Sequence, residues 1–88
     1  MGGDFIKVRQ SEDMYNIGNN IRRLRLVNHL TQEQVVAKMQ LLGVDISRGL
    51  YSHIECGFKN IRVQEILALC KIFHCDVNAI FKDIQLEI

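Results

Sequence analysis

The residues of this 88-residue chain that could do chemistry fall into three groups. Arg48, Ser52 and His53 sit at a spacing that places them on one side of a helix, and each carries a hydrogen-bond donor. His53, Cys56, Cys70 and His74 together read as two histidines and two cysteines, the donor set of a structural zinc site. Cys56, three residues after His53, offers a thiol and an imidazole from which a nucleophile and its base would be built. The second and third groups are weak. Cys56 and Cys70 are separated by a turn, and Cys70 shares an apolar stripe with Ile66 and Phe73, so no metal site is expected. The chain also lacks a Gly-rich phosphate loop and paired carboxylates at helical spacing, which leaves an enzyme as the least favoured class and implies no cofactor.

The donor-bearing group needs a helix to present it, and the composition provides for helices. Proline and tryptophan are absent, while Leu, Ile, Val and Ala run through long stretches. At 48% hydrophobic and 24% charged residues the balance is globular rather than disordered, and the length suits one small core without a large cavity. No apolar run reaches the ~20 residues that cross a bilayer, and no signal-peptide pattern opens the chain. Met1-Gly2-Gly3 has Ile6 where a myristoylation signal needs Ser or Thr. Three cysteines, an odd number without scaffold spacing, fit a reducing compartment, so a soluble cytoplasmic chain is expected.

Residues 1–15 show no sustained period and read as a flexible tail. Ile17, Ile21 and Leu24 then form the apolar stripe of a first helix ending near Asn28, with Asn19, Asn20, Arg22, Arg23 and Arg25 on the remaining surface. Thr31-Gln32-Glu33-Gln34 has the reciprocal capping pattern that starts a helix, and Val35, Val36 and Met39 are its buried side. Gly43 suits a helix terminator, Ser47 caps a third helix through Tyr51 and Ile54 to Cys56, and Gly57 stops it. Ile66, Leu69 and Phe73 mark a fourth helix over 63–74. Asp76 is placed to cap a short fifth one through Ile80 and Phe81. The pattern predicts an all-α, five-helix domain over 16–82, followed by an apolar tail over 83–88.

Three segments, in this order and spacing, resemble the Cro and lambda-repressor type of helix-turn-helix regulators: Ile17-Gly18-Asn19-Asn20-Ile21-Arg22-Arg23-Leu24-Arg25, then Leu30-Thr31-Gln32-Glu33-Gln34, then Tyr51-Ser52-His53-Ile54-Glu55-Cys56-Gly57. The resemblance spans about 16–82. It implies a lambda-repressor-like fold and binding of double-stranded DNA by a transcriptional regulator, with the third helix in the major groove. The chain departs from the family by inserting Gln40-Leu41-Leu42 and by placing Asp45-Ile46 before Ser47, so a longer second helix and loop are expected. Ile61 stands where the family often has proline.

With Tyr51 and Ile54 facing inward, Arg48, Gly49, Ser52 and His53 are left outward and Leu50 at the margin. A guanidinium pairs bidentately with guanine, which makes Arg48 the leading candidate for base readout; Ser52 and His53 can bond bases or phosphates, and Leu50 can meet a thymine methyl. Gly49 lowers helix propensity but clears a path for the backbone to approach DNA. The resemblance implies a phosphate grip by Gln32 at a helix N-terminus and a partly buried ion pair between Arg25 and Glu55; Arg22, Lys59 and Asn60 are further phosphate candidates. It also places Cys70 and Cys75 at core positions.

Ile80, Phe81, Ile84, Leu86 and Ile88 crowd the C-terminal stretch with apolar residues, which either fold onto the core or form a dimer surface. A homodimer on a palindromic operator follows as the expectation. The alternative is a protein-interaction or antitoxin-type module of the same fold acting through a protein partner. Net charge is +1, yet the chain is segregated: residues 1–16 carry two basic and three acidic groups, 17–62 seven and three, and 63–88 two and four. The positive excess coincides with the helices proposed to meet DNA.

Overall fold

A computed structural model describes residues 12–84 of the chain. Five helices follow in order: α1 (Glu12–Val27), α2 (Gln32–Leu41), α3 (Arg48–Cys56), α4 (Val63–Phe73) and α5 (Val77–Ile80). No described helix is long and apolar enough to cross a membrane.

The first helix begins five residues ahead of Ile17, so part of the segment expected to be a tail is helical, and Asp13 within it is fully buried. Met14 continues the stripe of Ile17, Ile21 and Leu24 one turn backwards, which gives those residues a face to pack. Residues 1–11 of the expected tail lie outside the described part. α1 ends at a left-handed His29 (φ 58), with the amide of Leu30 donating to the Arg25 carbonyl at 3.1 Å.

Thr31 then caps α2 as expected: its Oγ1 accepts from the Gln34 amide at 3.1 Å, and its own amide donates to the Gln34 side chain at 2.9 Å. Gln40 and Leu41 extend the last turn of α2. The longer loop behind it is anchored by buried Val44 and Ile46 and by the Gln40 amide donating to the Ile46 carbonyl at 3.0 Å. Ser47 accepts the Leu50 amide at 3.1 Å to start α3, and Gly57 (φ 80) ends it. α4 starts with the Arg62 amide donating to Glu65 at 2.8 Å and stops one residue before His74, which is left-handed. Asp76 precedes α5 but makes no side-chain cap; the Ala79 amide reaches the Asp76 carbonyl instead.

Ile17, Ile21, Val35, Met39, Tyr51, Ile54, Leu69, Phe73 and Ile80 meet in one core fed by all five helices. Asn20 belongs to it rather than to the surface. α5 lies over that position, and the Asn20 amide donates to the carbonyls of Ile80 at 2.8 Å and Lys82 at 2.9 Å while its oxygen accepts from Arg23. Two helix-end carbonyls that would otherwise lack donors are thereby satisfied.

Candidate nucleic-acid interface

α3 repeats a polar stripe along one side. At about 100° per residue, Arg48, Ser52 and Cys56 share one side with Gly49 and His53 beside them, opposite Ile54, while Tyr51 and Glu55 lie between Ile54 and the Arg48 edge. Burial follows that division: Tyr51, Ile54 and Glu55 are buried, Arg48, Gly49, His53 and Cys56 are exposed, and Ser52 is half-buried. Leu50 lies at the edge with 45% of its surface exposed, so it does not fill the core.

The first turn of α2 is tied to both ends of α3. At the C-terminal end, the Gln32 Nε2 donates to Glu55 Oε1 at 3.0 Å. At the N-terminal end, Glu33 stands 3.8 Å from the Arg48 guanidinium, an open surface pair that adds little to stability. These ties hold the N-terminus of α2 alongside the exposed stripe of α3. Gln32 and Arg22 also line one shallow depression between α1, α2 and α3, together with Asn19, Arg25, Glu55 and Cys56. Gln32 at the α2 N-terminus and Arg22 thus border one concavity.

Glu55 is the hub of this arrangement. Arg25 donates to both its oxygens, Nε at 2.7 Å and Nη2 at 3.1 Å, and the Tyr51 hydroxyl donates to Oε2 at 2.5 Å. Arg25 also donates to the Leu30 carbonyl at 3.0 Å, fixing the turn between α1 and α2. The Glu55 side chain is only 3% exposed. Burial opposes its ionisation, but the bonds from Arg25, Tyr51 and Gln32 outweigh it and hold the carboxyl below its ordinary range. Burial, then the bond to Glu55, pushes the Tyr51 hydroxyl far above its ordinary value, so it stays a donor. The ion pair implied by the family resemblance is present and positions three helices.

The remaining expected residues are placed less uniformly. Asn60 is exposed after α3, but the Lys59 ammonium donates to the Asn60 carbonyl at 2.9 Å and lies 3.4 Å from buried Glu65, so a phosphate there competes with Glu65. His53 stands edge-on to Phe58, ring centroids 6.1 Å apart. Phe58 is 76% exposed, although an aromatic after a helix-ending glycine carries no sequence signal of exposure. Gly49 has no structural need to be glycine: a Cβ there meets nothing nearer than the Ser47 Oγ at 3.9 Å.

The apolar C-terminal group divides. Ile80 is fully buried in the core of its own chain, because α5 turns it inward, and it is removed from any dimer surface. Phe81 and Ile84 are half-buried against the same core, while Leu86 and Ile88 lie outside the described residues. Among the described residues, no cluster of three or more His, Cys, Asp or Glu is arranged to hold a metal.

No protein-family model matches the sequence, and no curated protein matches it. Solved structures do. The restriction-modification controller protein C.AhdI from Aeromonas hydrophila superposes with a TM-score of 0.70 at 25% identity, over 81% of this chain and 100% of that one. The clp gene regulator ClgR from Corynebacterium glutamicum gives 0.70 at 17% identity, over 82% of this chain and 71% of that one. The DNA-binding domain of BldD gives 0.68 at 21% identity, over 82% and 97%. Five helices in this order, the capped start of α2 set against α3, and these superpositions agree: the chain is an all-α helix-turn-helix domain with the lambda-repressor-like fold of the Cro-type regulators.

Proposed function

We propose that this domain is a sequence-specific double-stranded DNA-binding transcriptional regulator, acting as a repressor, that lays α3 in the major groove. The observation that carries this reading is the outward stripe of exposed Arg48, Gly49 and His53 with half-buried Ser52, on a nine-residue helix whose other face is locked into the core. A groove about 12 Å wide admits such a helix, and a guanidinium on its first turn can pair with the O6 and N7 of guanine. Gln32 and Arg22, at the concavity beside it, hold the phosphates that set register. C.AhdI is a controller protein and the BldD domain binds DNA, which supports the same role here. A two-fold dimer on a palindromic site follows from the geometry of such readers, with Phe81, Ile84 and the residues beyond as its contact.

Selection of bound duplexes from a random pool, followed by titration at several salt concentrations, tests the reading. Affinity for the selected duplex is expected to fall steeply with salt, and Arg48→Ala to weaken it about 5- to 150-fold, corresponding to the ~1–3 kcal/mol of one bidentate base contact. No enrichment above non-specific binding sinks the proposal and leaves a protein-interaction module as the reading.

Gly49→Ala separates the two more sharply. Because the fold has room for the methyl and alanine favours helix, stability is expected to rise by about 0.5 kcal/mol. Affinity for the selected duplex is expected to drop several-fold, since the backbone can no longer come as close. Unchanged affinity in a stabilised variant counts against close approach of α3 to DNA.

A further inference from the structure

Cys70 and Cys75 flank the corner between α4 and α5. α4 ends in the left-handed His74 (φ 55), and the amide of Cys75 donates back to the carbonyl of Cys70 at 3.0 Å. This six-to-one bond characterises a helix end in which the side chains of the same two residues pack together, normally as an apolar pair. Here both are cysteines, and both are half-buried against the core. A disulfide requires Cα atoms about 4.4–6.8 Å apart and side chains that converge. The main-chain bond keeps the two Cα atoms within reach of one another, and both side chains pack against the same core. The candidate interface uses neither thiol.

We propose that Cys70 and Cys75 form a dithiol site that a small disulfide of the glutathione class oxidises to an intramolecular bond, locking α5 against α4. The Cys70 thiol gives its proton to solvent, and its thiolate attacks one sulfur of the small disulfide. A mixed disulfide forms, and one small thiolate leaves and takes up a proton. Cys75 then loses its proton and attacks the Cys70 sulfur, releasing the second small thiol. Two protein thiols are oxidised and one small disulfide is reduced to two thiols. Burial raises both thiols, Cys75 to about 11, and Cys75 partly offsets the rise at Cys70, so the exchange opens from the small thiolate fraction of Cys70 and quickens as the pH rises. The resulting bond braces the helix that carries Ile80 into the core and offers its last carbonyls to Asn20.

The full chain, incubated under native conditions with excess oxidised glutathione, is alkylated, digested and mapped by mass spectrometry. The expected product links Cys70 to Cys75 with the loss of two hydrogens, leaves Cys56 alkylated or glutathione-bound, and raises Tm by on the order of 10 °C until a dithiol reductant is added. In Cys75→Ser the exchange is expected to stop at a glutathione adduct on Cys70. Lasting glutathione adducts on Cys70 or Cys75 of the unaltered chain overturn the proposal. So does consumption of Cys56 alone, or a linked product whose Tm does not rise.

Discussion

Gly18→Ala is expected to destabilise the domain by about 2–4 kcal/mol, a fall in Tm of roughly 10–25 °C for a chain of this size. α1 and α3 touch backbone to backbone at this point. A Cβ on residue 18 would stand 2.4 Å from the Glu55 carbonyl oxygen and 2.5 Å from that of Ile54, inside any van der Waals contact. The obstructing atoms belong to the last turn of a helix and cannot swing aside as a flexible side chain would. Relief requires α1 to lift away from α3, which loosens Ile17 and Ile21 against Ile54 and stretches the bonds between Arg25 and Glu55. Thermal unfolding checks it, with Gly49→Ala as the control in which the same substitution is harmless. A Gly18→Ala protein as stable as the parent would mean that the two helices do not approach this closely. Because α1 holds α3 through this contact, duplex affinity is expected to fall along with stability.

Glu55→Ala is expected to cost about 3–5 kcal/mol, the range found when one partner of a buried ion pair is removed. The loss leaves the Arg25 guanidinium, only 11% exposed, without its carboxylate, and strips acceptors from Tyr51 and Gln32. Glu55→Gln keeps the shape and some of the bonds, so it should fall between alanine and the parent. The two differ in pH dependence as well. A carboxyl held below its ordinary value of 4.5 in the folded state adds stability that is complete above that value and is lost as the pH falls through its lower folded value. Denaturant unfolding at a series of pH values should therefore show the parent losing stability on the acid side of 4.5. In Glu55→Gln that limb should flatten. Equal acid limbs in the two proteins would show that Glu55 carries no depressed carboxyl. The consequences extend beyond stability, since Gln32 is held at the N-terminus of α2 through Glu55.

Local signals in the sequence were enough for α2 and α3 and their ends, though not for the start of α1. Thr31 with Gln34, Ser47 before Arg48, and Gly57 after Cys56 act within a few residues of chain, and their hydrogen bonds form wherever the segment folds. The inward face of α3 was equally legible, because Tyr51 and Ile54 at three-residue spacing can share only one side of a helix. The outward stripe followed by subtraction. Asp76 shows where such signals stop: a capping residue in the right place makes no cap.

What the sequence determined by itself was the inventory: five helices, a capped α2, a polar face on α3, and a resemblance that implied the lambda-repressor-like fold. Only the tertiary structure decided which polar residues belong inside. Asn20 reads as surface on its own helix and becomes a buried tie because the carbonyls of Ile80 and Lys82, some sixty residues on, come to lie over it. Ile80 reads as part of a dimer surface and becomes core because α5 turns it inward. Tertiary packing likewise drew Lys59 towards Glu65, set Phe58 beside His53, and showed that Gly18 answers to a neighbouring backbone while Gly49 answers to nothing in the fold. Helix and cap signals are short-range and travel with the chain, whereas burial of a polar group depends on which distant atoms can satisfy it, and those positions exist only once the helices have packed.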